Sequence, residues 1–295
     1  MHFSTSLALL PAVAHAINII SSNDDGWAEM NIRTLYDSLT SAGHDVLISA
    51  PAENKSGSAS LTGTATTLTE ACEFDSCPSG SPAVGHNSSA PQFNYVNSFP
   101  ATAMEYGIDT LSPGYFGGAP DLAVTGPNVG VNTGVITVAS GTVGAAVEAI
   151  GLGIPAIAFS GAEGSEIAWN VATPAYSTIY AELSAMVVNT LVSSGTPYLP
   201  ADIWLNVNYP KTTGCTSASN YSFVLSRIYT AVPLISGTDV VTCNNGGRLP
   251  TETTVVGTDG CYASISVGGT NKRDANATNQ ATVLSKLSSI LTCLP

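Results

Sequence analysis

The feature that most constrains the fold is an apolar segment that ends on two adjacent aspartates. Residues 17–22 are apolar or small, and Asp24, Asp25 and Gly26 follow almost at once. This pattern is typical of a buried parallel strand whose carboxyl end carries the functional groups of an α/β sheet. Two neighbouring carboxylates repel each other, and a hard divalent cation removes that cost because it prefers carboxylate oxygens. The alternative is that residues 23–26 are only a polar turn.

A strand–helix–strand unit begins with this segment. Residues 28–42 carry apolar side chains at helical spacing, Gly43 suits the end of that helix, and residues 46–50 form a second apolar run. Further buried strands are predicted at 121–126, 155–160 and 204–208, and further helices near 100–111, 140–150 and 174–194. Repetition of this unit predicts a doubly wound, mostly parallel sheet in a Rossmann-like, three-layer α/β/α fold.

The last third of the chain has a different pattern. Residues 211–277 are rich in Thr, Gly and Asn, with short β-like runs at 223–225 and 263–267. We therefore expect an α/β core over residues 17–210, and a β-hairpin appendage with a terminal helix over residues 211–295.

Residues 1–16 have the features of a secretion signal, namely a short apolar core followed by a small-x-small cleavage site. All six cysteines lie beyond it, and an even number in a secreted chain indicates disulfides. Cys72 and Cys77 are close enough for a local bridge, whereas the other four cysteines allow three pairings. Sequons at Asn54, Asn87 and two later positions also agree with a secreted, extracellular glycoprotein.

The charge of the chain excludes several classes of partner. The net charge is −13, and eight basic residues form no stripe that would bind a nucleic-acid polymer. No segment after the signal has the length of apolar sequence that a membrane helix needs. Because an acidic surface does not attract anions, phosphate chemistry would depend on a local metal, backbone amides or a helix N-terminus.

Two polar segments are expected near the paired aspartates. Residues 51–69 follow the carboxyl end of the second strand, and residues 127–134 follow a later one. Residues 140–142 then open a helix whose first amides would form an anion site. The simpler alternatives are flexible surface loops and a capped helix that binds nothing.

Other common sites on α/β folds are excluded by motif. A dinucleotide site needs a glycine-rich turn after the first strand, where this chain has Asp24 and Asp25. A serine hydrolase needs a Gly-x-Ser-x-Gly elbow, which is absent. Only His44 and His86 follow the signal, so a histidine-dependent phosphatase is also disfavoured.

Three sequence blocks occur in an order that resembles the SurE-like phosphatase/5′-nucleotidase family. They are Ser22–Gly26, Ala50–Gly57 and Val124–Ala146, and Leu205–Pro210 resembles a later strand of the same family. Three ordered blocks are far more specific than any one of them.

The resemblance implies a set of site residues. The implied metal ligands are Asp24, Asp25, Ser56 and Asn128. The implied phosphate-binding residues are Asn23, Asn132, Ser140, Gly141 and Thr142. Asp24 and Asp25 are also the candidate catalytic residues, with the choice of base or nucleophile left open. Hard oxygen donors in this number favour one Mg²⁺ or Mn²⁺ over Ca²⁺.

The resemblance also implies an activity. It is that of a metal-dependent acid phosphatase or 5′(3′)-nucleotidase, which hydrolyses small phosphate esters such as nucleoside monophosphates through a metal-activated water. A homodimer is a possible assembly. The alternative is a secreted protein of the same fold that binds a metal or ligand without turnover.

Overall fold

The structure, a computed structural model, describes residues 16–295, so the predicted signal sequence lies outside the described residues except for its last one. Ten strands form one sheet: β1 (Asn18–Ser22), β2 (Asp45–Pro51), β3 (Val84–Asn87), β4 (Ala90–Val96), β5 (Leu122–Val129), β6 (Ala156–Gly161), β7 (Ile203–Tyr209), β8 (Ser222–Ser226), β9 (Tyr262–Gly269) and β10 (Leu291–Thr292). The helices are α1 (Met30–Ser41), α2 (Pro100–Tyr106), α3 (Ser112–Tyr115), α4 (Ile136–Ala139), α5 (Gly141–Gly151), α6 (Ala175–Ser193), α7 (Glu252–Gly257) and α8 (Ala277–Lys286).

The strand order of the sheet is β10-β8-β9-β7-β6-β5-β1-β2-β4-β3. The six strands from β7 to β4 in this order are parallel to one another, whereas β3 is antiparallel to β4 and β9 is antiparallel to β7. The order reverses on either side of β1, with β2 on one side and β5 on the other. The predicted doubly wound, mostly parallel α/β fold is therefore confirmed.

Helices cover both faces of the sheet. On one face, α1 and α6 pack on a large core that includes Ile19, Phe159 and Val207. On the other face, α2 and α5 pack on a smaller core that includes Ile20 and Ala158. Strands buried on both faces have almost continuously apolar sequences, which is why the central strands could be located from the sequence.

The C-terminal strands differ from the predicted hairpin appendage. β8 and β9 are parallel to each other and do not form a hairpin, and β9 pairs with β7 in the main sheet. Ile265 and Val267 of β9 join the same core as Leu205 and Val207 of β7. A separate appendage would expose these side chains, so the hydrophobic effect favours extension of the main sheet.

All six cysteines are paired. The predicted Cys72–Cys77 bridge is present, and the other bridges are Cys215–Cys261 and Cys243–Cys293. The last bridge ties the chain just after β10 to a loop that precedes α7. Among residues 16–295, no helix combines the length and the apolar character needed to cross a bilayer.

Candidate active site

The carboxyl ends of β5, β1 and β2 bring three segments together at one edge of the sheet. β1 delivers Asp24 and Asp25, β5 delivers Asn128, and β2 leads into the loop that contains Ser56. The N-terminus of α5 completes the site because Gly141 contacts Asp24. Parallel topology therefore assembles residues that are more than a hundred positions apart in the sequence.

The turn after β1 is held rigidly by Asn23 and Gly26. The Asn23 side-chain amide donates to the Gly26 carbonyl at 2.9 Å, and its oxygen accepts the Gly26 N–H at 3.2 Å. Gly26 has a φ of +114°, and a Cβ there would collide with the Glu73 carboxylate, so glycine is required. The Asn23 side chain, a predicted phosphate contact, is thus used to close the turn.

Asp24 is buried against the first turn of α5. One carboxylate oxygen accepts the Gly141 N–H at 3.1 Å, and the other accepts the Thr142 hydroxyl. The partial positive charge of a helix N-terminus favours an anion at this place. Burial nevertheless outweighs these hydrogen bonds and raises the pKa of Asp24 above its ordinary value.

Asp25 has one satisfied and one unsatisfied oxygen. Its Oδ2 accepts the Val129 N–H at 3.0 Å, whereas Oδ1 is buried without any hydrogen-bond partner among residues 16–295. Burial, followed by repulsion from Asp24 and Glu29, raises the pKa of Asp25 well above its ordinary value. A buried carboxylate oxygen without a donor is costly and needs a proton or a cation.

Asn128 supplies a neutral oxygen beside the carboxylates. Its side-chain nitrogen donates to the Gly130 carbonyl at 2.7 Å, which fixes the orientation of the amide. Its Oδ1 lies 3.1 Å from the Thr142 hydroxyl, which also contacts Asp24. Asp24, Asp25 and Asn128 thus form a set of hard oxygen donors that fits a small divalent cation. Among the described residues, no three or more His, Cys, Asp or Glu side chains are grouped so that they alone could hold a metal ion.

Ser56, the fourth implied ligand, lies on an exposed part of its loop. The loop is anchored to the site because the Lys55 N–H donates to the Asp24 carbonyl at 2.7 Å. The Ser56 N–H donates to the Asn54 side chain at 2.7 Å, but no hydrogen bond of the Ser56 hydroxyl occurs within residues 16–295. Its side chain is therefore at the solvent side of the site, in contrast to Asp24 and Asp25.

Ser58 is a further residue beside the candidate site that the sequence analysis did not single out. It is buried, its hydroxyl has no partner among the described residues, and a Cβ on Gly141 would lie 2.7 Å from that hydroxyl. Ser58 therefore faces the same space between the loop and α5 as the Asp24 carboxylate. The surrounding sequence is rich in serine, so only the path of the folded loop distinguishes Ser58 from Ser56.

Ser140 is the N-cap of α5. Its hydroxyl accepts the Val143 N–H at 3.1 Å, so it stabilises the helix that carries Gly141 and Thr142. These three predicted phosphate-binding residues are thus gathered at one helix terminus. Their hydrogen-bonding groups contact Asp24 or the helix itself.

Asn132 belongs to a neighbouring polar network at the ends of β6 and β7. Its N–H donates to the Asn208 side chain at 2.8 Å, its amide donates to Ser160 at 2.9 Å, and its carbonyl accepts from Asn206. Glu252 of α7 accepts from Asn206 at 2.7 Å and from the Gly134 N–H at 3.2 Å. Glu252 lies in the C-terminal third, where no sequence motif distinguished it.

The site carries an excess of buried acidic groups. Glu29 caps α1 by accepting the Asn31 N–H at 2.6 Å, and its other oxygen is buried without a partner in the described chain. Burial raises the pKa of Glu29 to about 8, and burial with the charges of Glu166 and Glu53 raises that of Glu73 to about 7. The nearest basic side chain on the loop, Lys55, pairs with Glu53 at 3.2 Å. The neighbourhood of Asp25 thus has negative charge that protons or a cation must balance.

The fold and this edge of the sheet define a class of α/β protein with an oxygen-donor site beside a helix N-terminus. The family model described as "Survival protein SurE" matches residues 19–229. The chain therefore belongs to the SurE family, which confirms the resemblance found in the sequence.

Three relatives illustrate the relationship. An "Acid phosphatase" of Yarrowia lipolytica is 33% identical over 283 residues, which cover 86% of this chain and 79% of the relative. A "5′-nucleotidase SurE" of Polaromonas naphthalenivorans is 33% identical over 195 residues, which cover 66% of each chain. The crystal structure of the SurE protein from Aquifex aeolicus has a TM-score of 0.59 at 22% identity, covering 91% of this chain and 98% of that one, which supports the fold.

Proposed function

We propose that this protein is a secreted, divalent-metal-dependent phosphomonoesterase that hydrolyses nucleoside monophosphates or similarly small phosphate esters. The observation that carries the proposal is the buried Asp24–Asp25 pair, in which Asp25 Oδ1 has no partner within residues 16–295. Membership of the SurE family supports phosphate ester hydrolysis, because the relatives are named acid phosphatase and 5′-nucleotidase.

The proposed metal ligands are Asp24, Asp25, Asn128 and Ser56, and the proposed ion is Mg²⁺ or Mn²⁺. A divalent cation bound there would neutralise the carboxylates, polarise a phosphoryl oxygen and lower the pKa of a bound water. The Asp25 Oδ1 atom remains free to accept a hydrogen bond, whereas both oxygens of Asp24 already accept from α5. We therefore favour Asp25 over Asp24 as the group that orients a water.

The proposed phosphate-binding surface is the N-terminus of α5 with the loops beside it. Gly141 and Thr142 present this terminus to Asp24, and Ser140 keeps the helix capped. Asn23 and Asn132 shape the surface indirectly, since their side chains hold the turn after β1 and the loop after β5. Charge stabilisation by a preorganised helix terminus is the expected contribution of these residues.

Secretion is supported by two features. Residues 1–16 have the pattern of a signal sequence, and three disulfides are formed by the rest of the chain. Sequencing the N-terminus of the protein recovered from culture medium tests this part, since cleavage after Ala16 would leave Ile17 as the first residue.

The test of activity is phosphate release from 5′- and 3′-mononucleotides with Mg²⁺, with Mn²⁺ and with EDTA. We expect release that requires the metal, and we expect Asp24→Asn to lower the turnover number by about a hundredfold or more, the scale for loss of a key electrostatic group. Asp259→Asn is the matched control, because Asp259 is exposed and should leave the rate unchanged.

Each part of the proposal can fail separately in this assay. Full activity in EDTA would contradict the metal dependence, and a normal rate in Asp24→Asn would remove Asp24 from the site. Metal binding without phosphate release from any ester would favour the alternative of a binding protein that lacks turnover.

A further inference from the structure

A cavity lies beside α1, and none of the proposed metal ligands is among the residues that line it. Its volume is about 570 Å³, which is within the range of sites for small organic ligands. It is bounded by α1, by the strands β3 and β4, and by the loop closed by the Cys72–Cys77 bridge. Its principal side chains are those of Trp27, Arg33, His86, Tyr95 and Trp169.

The walls of this cavity carry no acidic side chain. None of the lining residues is Asp or Glu, although the whole chain has a net charge of −13. The charged side chain in the wall is that of Arg33, and His86 is the other titratable base. The cavity is thus a local exception to an acidic protein, and its charge favours an anionic ligand.

Arg33 is held among aromatic rings rather than by a carboxylate. Its Cζ atom lies 3.9 Å from the centre of the Phe93 ring, 5.3 Å from that of Trp27 and 5.9 Å from that of Trp169. Its Nε–H donates to the Trp27 carbonyl at 2.7 Å, which fixes the plane of the guanidinium. Cation–π contacts stabilise such a charge only in part.

The terminal nitrogens of Arg33 have no hydrogen-bond or ion-pair partner within residues 16–295. The residue is only 8% exposed, and Asp37, one helical turn further on, is not within ion-pair distance. Burial lowers the pKa of Arg33 to about 10, so the side chain stays charged at neutral pH. The terminal edge of the guanidinium therefore makes no hydrogen bond to the described chain, and a carboxylate or phosphate matches such an edge with two parallel hydrogen bonds.

We propose that this cavity binds a small organic anion in which a carboxylate or phosphate group is attached to a planar ring. The oxyanion pairs with the free edge of Arg33, and the ring packs against Trp169. This binding site is additional to the proposed hydrolytic site, and it requires neither a metal nor turnover.

The test is calorimetric titration of the full chain, in the presence of Mn²⁺, with benzoate and with phenylphosphonate. We expect saturable binding of at least one of them, and weaker binding of uncharged benzyl alcohol. Arg33→Met should lower the affinity for the anion by about tenfold or more, which is the scale for loss of a charge-assisted pair. Arg33→Lys should weaken it as well, because it keeps the charge but loses the planar fork.

Two controls separate this site from others. Arg273→Met removes the same charge from an exposed position and should leave the affinity unchanged. Asp24→Asn should also leave benzoate binding unchanged, which excludes binding at the paired aspartates. If the binding of only one of the two anions depends on Arg33, the result would support the proposal and identify the preferred oxyanion.

Three results would overturn the inference: no saturable binding of either anion, equal binding of benzyl alcohol, or unchanged affinity in folded Arg33→Met. Should Arg33→Met not fold, Trp169→Ala decides the question, because Trp169 is only partly buried. That variant should lose affinity for the ring, and unchanged affinity there would count against the proposed site.

Discussion

Asp25 illustrates the cost of burying a carboxylate at this site. Its carboxylate is 1% exposed, and one of its oxygens has no donor among residues 16–295. An isolated buried carboxylate would be expected to protonate, whereas a pair of them beside an amide oxygen favours a cation. The pair is therefore maintained at a cost in stability of the metal-free protein, as is common for functional groups.

Gly141 provides a sharp test of the contact between α5 and the carboxylates. A Cβ at this position would lie 2.8 Å from Asp24 Cβ and 2.9 Å from Asp24 Oδ2, so Asp24 would have to move. We expect Gly141→Ala to lower the phosphate-release rate by about tenfold or more, because Asp24 is a proposed metal ligand and a small displacement of such a group has large effects.

Gly151→Ala is the matched control for this substitution. Gly151 is in the last turn of the same helix, and a Cβ there would meet no atom within 4 Å. The control should keep the full rate and slightly raise the stability of the helix. A normal rate in Gly141→Ala would show that Asp24 does not need its present position.

At the scale of elements, α7 connects the C-terminal third of the chain to the site. This short helix carries Glu252 into the network that holds Gly134 and Asn206. Burial raises the pKa of Glu252 to about 8, from an ordinary value of 4.5. The neutral carboxyl is thus the form that the folded protein prefers.

Glu252→Gln should change how stability depends on pH. The stability that comes from the neutral carboxyl is complete below about pH 4.5 and is lost as the pH rises through about 8, because only the unfolded chain ionises readily in that window. Gln keeps a neutral group at every pH. The melting temperature of the variant should therefore rise relative to that of the wild type as the pH increases from 5 to 9.

Thermal unfolding followed by circular dichroism measures this difference. Glu70→Gln is the matched control, because Glu70 is exposed and its replacement should give a small difference that is the same at each pH. A difference between Glu252→Gln and the wild type that does not vary with pH would contradict a buried neutral carboxyl at this position.

At the scale of the whole molecule, buried acids link stability to pH and, through the proposed site, to a metal. Burial raises the pKa of Glu29 and of Glu252 to about 8, and the pKa values of Asp24 and Asp25 are also raised. Groups with a raised folded-state pKa stabilise the fold in acid and lose that contribution as the pH rises toward 8. We therefore expect the metal-free protein to melt at a higher temperature at pH 5 than at pH 8.5.

Mn²⁺ should oppose this loss. A cation bound at the proposed site would replace protons on Asp24 and Asp25, so it should bind more tightly when these groups are ionised. The increase in melting temperature caused by saturating Mn²⁺ should be larger at pH 8 than at pH 5, and Asp25→Asn should reduce it. An equal increase at both pH values, or one that survives Asp25→Asn, would show that Mn²⁺ acts elsewhere.

The central part of this fold could be predicted from the order of the amino acids alone. Strands such as β1 and β6 are buried on both faces, and their almost continuous apolar runs specify them locally. The position of Asp24 and Asp25 at the end of β1, and the cap of α5 by Ser140, also follow from local chemistry. The Cys72–Cys77 bridge was predictable because the two residues are close along the chain.

The pairing of distant segments could not be predicted in this way, because it depends on packing in three dimensions. β9 pairs with β7 because a shared core buries Ile265 and Val267, a choice that short β-like runs cannot reveal. The burial of Ser58, the approach of Glu252 to Gly134, and the aromatic enclosure of Arg33 likewise depend on long-range packing. Local patterns encode burial and backbone geometry, whereas contacts between remote side chains depend on how all the elements share one core.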